Sequence, residues 1–431
     1  MQLNIKLTKK SILRRLLTII KSKINDSLHL CFDGVGHKSI IFFKIIRIFT
    51  KSFYNCSLLP YEWMDRLSNQ NILIQQKTFI SYAPRYIYNT NVRTGIVTCP
   101  DVCWRLICNS IVTADSSSVV VQKQKLLIER CGRENQDYYN YSTGQIKWHG
   151  RKNALVRFSS NILRYKKGIF LGGNGASNYY HWMVEIFTKF MFISNLPEKY
   201  LDFPIFFSID VKNIPQFNEM IDIISENREI VWMNPHQSYF FEEMVYIDSV
   251  NNIPFNVSGK HKLSVSDIVI NLDSILWLRK IFLDKFSQSF SCGTLVPKRV
   301  FLYRENSRRY YNQDKVKLLL DGFGFISVDF GKIGFMQQVE LFNNAEWIVG
   351  PTGAEWSNLV FSKKGLKCLV WMANEIGDFS AFSNIAACVD ADLVYLTYSV
   401  DVNQTANLFE KCYFLDVEKL NNALVLHGLN I

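Results

Sequence analysis

From about residue 166 the sequence alternates short apolar runs with helix-patterned segments, and it does so in two series. The first series has Gly168-Ile169-Phe170-Leu171, Pro204-Ile205-Phe206-Phe207, Glu229-Ile230-Val231-Trp232 and Met244-Val245-Tyr246-Ile247 as strand-like runs. The second has Val300–Tyr303, Phe325–Val328, Trp347–Val349, Cys368–Trp371 and Leu393–Leu396, with helices centred on 313–320, 335–344 and 355–362 between them. Continuous apolar runs separated by helices are the pattern of strands buried on both faces, hence of a parallel sheet covered by helices. The expected fold class is α/β, with two Rossmann-like domains facing a cleft. In such sheets ligands sit at the carboxyl ends of the strands.

The division expected is a basic segment over 1–60, a β-rich start passing into a first Rossmann-like domain over 61–290, and a second over 291–431. Residues 61–150 read as irregular, with β-like pieces such as Gly95–Thr98 and Ser118–Val121. Residues 268–287 read as one helix, and Ser291-Cys292-Gly293-Thr294 as a linker.

Charge is concentrated at the start. The chain carries +11 in total, and residues 1–60 hold eleven Lys/Arg against Asp26 and Asp33, leaving 38 basic against 36 acidic residues elsewhere. Ile12, Leu13, Leu16, Leu17, Ile20 and Ile24 recur at helical spacing among Arg14, Arg15, Lys21 and Lys23. Two readings stand: a basic amphipathic helix on an anionic membrane surface, or a solvated basic face packed on the protein's own core. No nucleic-acid motif accompanies the charge. The longest apolar runs are broken by Lys44 and Arg47, too short to span a bilayer, and residues 1–25 lack the apolar stretch and cleavage site of a signal peptide. The expected location is the cytoplasm, peripheral on the inner face of the membrane. Ten scattered cysteines, with Cys99, Cys103 and Cys108 clustered, fit no zinc spacing and read as reduced, mostly buried thiols.

Three blocks carry candidate chemistry. Asn178-Tyr179-Tyr180-His181-Trp182-Met183-Val184-Glu185 opens a helix after the loop Gly172–Asn178, and His181, Glu185 and Lys189 are four apart on one face. A histidine one turn from a carboxylate forms an oriented acid/base pair; a capping and ion-pair stripe, with Glu185–Lys189 as a surface pair, is the plainer reading. The second block, Arg304-Glu305-Asn306-Ser307-Arg308-Arg309, follows a strand, and three forked cations at a strand tip suit a diphosphate. A solvated basic loop is the plainer reading there. Asn312 stands where it can cap the next helix. The third is Gly350-Pro351-Thr352-Gly353-Ala354-Glu355-Trp356-Ser357-Asn358, a glycine turn from strand to helix whose N–H groups make a phosphate cradle. Gln338, on the preceding helix, either faces the cleft or sits on a polar helix face. Asp390-Ala391-Asp392 spells a D-x-D metal pattern but precedes its strand and reads as a turn. No carboxylate or histidine cluster has convincing metal-ligand spacing, so no obligatory metal is expected.

In order and spacing these blocks resemble glycosyltransferase family 61, the group that includes bacterial capsule and lipopolysaccharide transferases. The matching pieces are Asn178 to Glu185, Arg304 to Asn312, Gly322-Phe323, Phe335 to Gln338, and Gly350 to Phe361, within roughly residues 166–425. The resemblance implies a GT-B-like fold, inversion at the anomeric carbon and no cofactor beyond the nucleoside diphosphate sugar that serves as donor. The acceptor implied is a glycan or lipid-linked glycan. On this resemblance the donor meets Arg304, Arg308, Arg309, Asn312, Gln338, Thr352, Gly353, Ala354 and Asn358, and the base is His181, Glu185 or Glu355. The chain departs from the pattern in two places. Thr352 stands where many members carry histidine, and Val370-Trp371-Met372 where many carry an acidic residue. A catalytically silent glycan or sugar-nucleotide binding protein, and a ketal-forming transferase on the same fold, are the alternatives.

Overall fold

The computed structural model describes residues 53–59, 66, 69–89, 91–122, 124–129, 143–150, 152–225, 228–254, 262–289, 296–305, 309–400 and 411–429. The basic stripe before residue 53, the linker 291–294, and Arg308 lie outside them.

The second series forms a five-stranded, all-parallel sheet. Its spatial order is Ile326–Asp329, Arg299–Tyr303, Trp347–Pro351, Lys367–Ala373, Asp392–Tyr398. All five residues of Trp347–Pro351 are buried, as a central parallel strand requires. From the strand Arg299–Tyr303 the chain runs to one flank through helix Gln313–Gly322, then returns on the other flank through helix Phe335–Asn344. The direction of winding therefore reverses between Tyr303 and Pro351, and a crevice opens there at the carboxyl ends.

The first series forms half of a larger sheet. Leu163–Phe170, Ile205–Ser208, Ile230–Met233 and Tyr239–Ile247 are parallel, with Leu163–Phe170 between Ile205–Ser208 and Tyr239–Ile247. The winding reverses beside Phe170 and Ile247. Beyond Tyr239–Ile247 the sheet continues with the eleven-residue strand Val102–Val112, then Val119–Val121, Lys125–Leu127, Phe53–Leu59, Asn153–Arg157 and Ile146–His149, all paired antiparallel except Lys125–Leu127 with Phe53–Leu59, which are parallel. The described residues of 61–150, read from sequence as irregular with β-like pieces at a β-rich start, are thus mostly strand. Val102–Val112 pairs with a strand more than 100 residues away, a partnership no local pattern announces.

One apolar cluster runs between the two sheets. Phe282 on helix Leu272–Ser289 packs edge-on against Phe335 (4.6 Å between centroids) and Phe361, and stacks on Phe187 from the first series. Arg279 on the same helix donates to the carbonyls of Val360 and Ser362, both at 2.7 Å. Glu219 accepts from the N–H groups of Phe335 (2.7 Å) and Met336 (3.1 Å), so a carboxylate from the first series caps a helix of the second. Early residues also finish the second sheet. The hairpin Lys77–Tyr82/Thr94–Cys99 leads into an arm whose Ile87 N–H donates to Tyr395 O, while Tyr395 N–H donates to Arg85 O, both at 2.9 Å. The arm covers the otherwise open edge strand Asp392–Tyr398.

Candidate active site

At the first reversal point, Asn178 organises the chain leaving the sheet. Its Oδ1 accepts from Tyr180 N (2.9 Å) and His181 N (3.3 Å), and its carbonyl accepts from Trp182 N. The expected helix is present but not regular: His181–Ile186 is a π turn and Phe187–Asn195 a 3₁₀ helix. Single π turns mark functional positions more often than ordinary helix does. His181 Nδ1 pairs with Glu185 Oε2, both side chains being 12% exposed, and the other carboxylate oxygen accepts the Ile253 N–H. Glu185 is fixed from two sides and holds the ring, and the tautomer that donates from Nδ1 carries its lone pair on Nε2. Lys189 corrects the surface-pair reading. It is 1% exposed, with its ammonium 5.2 Å from the Tyr246 ring centroid.

At the second reversal point, the Arg304 fork grips Glu355: Nε donates to Oε1 at 2.8 Å, and Nη2 to Oε2. Burial pulls the guanidinium's pKa down, but Glu355 more than offsets this and it stands above the ordinary arginine value. Both Glu355 oxygens are taken, so Glu355 serves here as the counter-ion of Arg304 and not as a poised base. Gly353 lies under this fork. A Cβ built on it would stand 1.6 Å from Arg304 Nη2, so any side chain there must push the guanidinium out of its grip on Glu355.

The structure separates the remaining candidates. Arg309 Nη2 donates to the carbonyl of Thr352, tying the arginine loop to the turn. Thr352 is buried, with its N–H donating to Trp371 O at 2.9 Å. Ala354 begins the 3₁₀ helix Ala354–Phe361. Asn312 makes no side-chain cap; its amide bonds both backbone groups of Leu415, at 2.8 Å each. Gln338 faces inward, donating to Phe330 O at 2.9 Å and accepting from Asn358 Nδ2 at 3.0 Å. Asn358 is fully buried and also donates to Glu355 O (3.0 Å). In this structure the side chains of Asn312, Gln338 and Asn358 spend these hydrogen bonds within the scaffold. Asp390 adopts a positive φ of 57° and pairs with Lys364, and Asp392 pairs with Arg85, in keeping with the turn reading. Where the resemblance implies an acidic residue, Trp371 is buried with Nε1 donating to Tyr413 Oη at 2.9 Å.

One bond joins the two reversal points. Tyr179 Oη donates to Asn358 Oδ1 at 2.8 Å. Tyr179–Asn358–Gln338 is thus a continuous network, half-buried at Tyr179 and buried at the other two, running from the start of the His181 turn to the helix that carries Glu355. The sequence placed Tyr179 beside His181 but gave no sign of its partner 179 residues on. Among the described residues, no three His, Cys, Asp or Glu side chains gather as a metal site.

Residues 179–370 match the family model Glycosyltransferase 61. The match supports a place in that family, and it spans both reversal points: His181, Glu185, Arg304, Gln338 and Gly353 through Asn358 all lie inside it. No curated protein matches the chain. Two solved structures resemble it at 9% identity. The bacterial iron-containing dodecameric glycosyltransferase TibC from enterotoxigenic E. coli H10407 has a TM-score of 0.25, over 78% of this chain and 90% of that one. The dodecameric iron-containing heptosyltransferase TibC in complex with ADP-D-beta-D-heptose has a TM-score of 0.23, over 76% and 84%. At these TM-scores the likeness carries no argument about fold or site.

Proposed function

We propose that this chain is an inverting glycosyltransferase of GT-B-like arrangement, moving a sugar from a nucleoside diphosphate sugar to a hydroxyl of a glycan or lipid-linked glycan during cell-surface polysaccharide synthesis. The observation that carries the reading is the pairing of two unlike sites through one hydrogen-bond network: an oriented histidine–carboxylate pair at one reversal point, and a guanidinium fork beside a glycine turn at the other. In the reaction, His181 Nε2 takes the proton of the acceptor hydroxyl as its oxygen attacks the anomeric carbon. The bond from that carbon to the diphosphate breaks, and its electron pair leaves with the diphosphate. Arg304 and the N–H groups at Gly353 and Ala354 meet the growing negative charge, with no obligatory metal. Attack opposite the leaving group inverts the centre. Glu185 orients His181 and balances the imidazolium that forms.

The basic segment 1–60 would hold the enzyme on the inner, anionic face of the cytoplasmic membrane, near a lipid-carried acceptor. Deleting it should release the protein from the membrane fraction; unchanged fractionation would remove that part of the proposal. The central test is a panel of sugar nucleotides, read both by thermal shift and by release of free nucleotide. One donor should stabilise the protein and turn over slowly. His181→Asn should abolish turnover but keep the thermal shift, and Arg304→Ala should lose both. Binding without turnover for every donor and acceptor tried would favour a silent binding protein. Loss of activity in a chelator, restored by a metal ion, would overturn the metal-free step.

A further inference from the structure

At the carboxyl ends of the second sheet's last two strands, one aromatic ring is held between two others. Tyr413 stacks on Tyr398, the last residue of strand Asp392–Tyr398, with centroids 3.9 Å apart and planes 7° from parallel. It also stacks on Tyr311, at 4.9 Å and 6°. Parallel rings in contact keep their planes roughly 3.5 Å apart, so two neighbours this close on one face would overlap each other. Tyr398 and Tyr311 therefore take opposite faces of Tyr413. Trp371 borders the slot: its ring meets Tyr311 edge-on at 6.2 Å, and its Nε1 donates to Tyr413 Oη at 2.9 Å. The slot adjoins the glycine turn. Trp371 is the register partner of Pro351, its carbonyl accepts the Thr352 N–H, and Arg309 Nη2 donates to Thr352 O. Tyr311 stands two residues past Arg309, and its buried Oη has no hydrogen-bond partner among the described residues. A buried hydroxyl without a partner is costly to keep, which marks the slot as a place where a ligand supplies one. An aromatic slot beside a phosphate cradle has the chemistry of a nucleotide site, a planar base for the rings and a diphosphate for the turn.

We propose that Tyr413 is an intramolecular stand-in for the nucleobase of the donor: it fills the slot between Tyr311 and Tyr398 in the free protein, and the base displaces it. This rests on a nucleoside diphosphate binding at the Gly353 turn, as proposed above. Displacement needs only the Tyr413 side chain to swing. Its backbone stays tied, with Tyr413 N–H on Tyr310 O at 3.1 Å and both backbone groups of Leu415 on the Asn312 amide. Tyr413 is half-buried between exposed Cys412 and Phe414, so the ring has solvent beside it to enter. An incoming base exchanges two tyrosine stacks for two of its own, and it frees Trp371 Nε1 to donate to the edge of the base. Because Tyr413 competes for the slot, the free protein binds nucleotide more weakly than the slot itself would.

Isothermal titration of the full-length protein with UDP, GDP, ADP, CDP and TDP, and with inorganic pyrophosphate, tests this. Tyr413→Ala empties the slot, so the best-binding nucleoside diphosphate should bind about tenfold tighter than to wild type, with pyrophosphate affinity unchanged. Tyr413→Phe keeps the ring but loses the Trp371 bond, and should move affinity the same way by a smaller factor. Tyr311→Leu removes one wall and should weaken nucleoside diphosphates about tenfold, again sparing pyrophosphate. Unchanged or weaker nucleotide binding in folded Tyr413→Ala would make the ring a fixed part of the core and overturn the proposal. Should Tyr413→Ala give no cooperative melt, Tyr413→Phe decides alone, an unchanged affinity counting against. If no nucleoside diphosphate binds wild type or either Tyr413 variant, the donor reading falls together with the slot. Nucleotide binding that is indifferent to both Tyr413 and Tyr311 sinks the slot and leaves the donor reading standing.

Discussion

Gly353→Ala tests the geometry of the second reversal point most directly. Gly353 has an extended backbone (φ 178°, ψ 169°), which alanine adopts without strain, so any effect comes from the added methyl. That methyl would stand 1.6 Å from Arg304 Nη2, 2.8 Å from Arg304 Cζ and 2.6 Å from Glu355 Oε2, where ordinary contact begins at 3.4 Å. Nη2 must retreat by roughly 1.8 Å, the difference between 3.4 Å and 1.6 Å. A shift of that size pulls apart a fork whose Nε–Oε1 arm is 2.8 Å long. The two side chains are 26% and 13% exposed, so water recovers part of the loss. The expected destabilisation is about 1–3 kcal/mol. Urea denaturation reads it. If Arg304 also meets the leaving diphosphate, nucleotide release should fall about 100-fold. A double-mutant cycle assigns the cause: in an Arg304→Ala background only the 2.6 Å approach to Glu355 Oε2 remains, on a carboxylate released from the fork and able to turn aside, and the Gly353→Ala penalty should shrink markedly. A full penalty in that background, or no penalty in the wild type, would refute the close approach of turn and guanidinium.

Other perturbations have defined outcomes. Tyr179→Phe leaves the buried Asn358 Oδ1 without its 2.8 Å donor and should cost about 1–3 kcal/mol in urea denaturation, whatever it does to activity. Arg105→Met strips the forked partner from buried Asp248 and should cost about 3–5 kcal/mol, enough to lower the melting temperature by several degrees. His427 is buried beside Asp392, and burial holds its pKa below the ordinary 6.5. The unfolded chain therefore binds the proton first: this contribution to stability is complete above pH 6.5 and is lost as pH falls toward the lower folded value. His427→Gln should flatten the acid-side fall of the melting temperature, and an unchanged slope would count against the burial effect.

Much of the parallel framework was legible, because a parallel strand buried on both faces writes itself as an apolar run. The strand runs from Gly168 to Ile247 and from Val300 to Leu396 coincide with strands of the observed sheets, and the helices expected around 313–320 and 335–344 are Gln313–Gly322 and Phe335–Asn344. Lys189 was misread for a geometric reason. The helical wheel assumes 3.6 residues per turn, whereas here a π turn gives way to a 3₁₀ helix, so positions past Glu185 rotate out of phase and Lys189 lands in the core. The pairing of Glu355 with Arg304 was not legible, because Arg304 lies 51 residues away on another strand tip. Asn312, Gln338 and Asn358 stood in the right blocks, but their side chains spend their hydrogen bonds inside the scaffold, which only the fold reveals.

The helix Leu272–Ser289 has a consequence for how a donor enters and leaves. With Phe282 wedged among Phe187, Phe335 and Phe361, Arg279 pinned to two carbonyls, and Glu219 capping a helix across the divide, the halves share an interior and do not merely abut. A hinge that swung one sheet away from the other would have to tear aromatic packing and expose charged caps at once. On the proposed function, exchange of a nucleotide should therefore proceed by small excursions of strand-tip side chains such as Arg304, with the framework standing still. If the proposed function holds, little would be spent on closing around a substrate, and turnover would be paced by how quickly that one guanidinium trades Glu355 for phosphate.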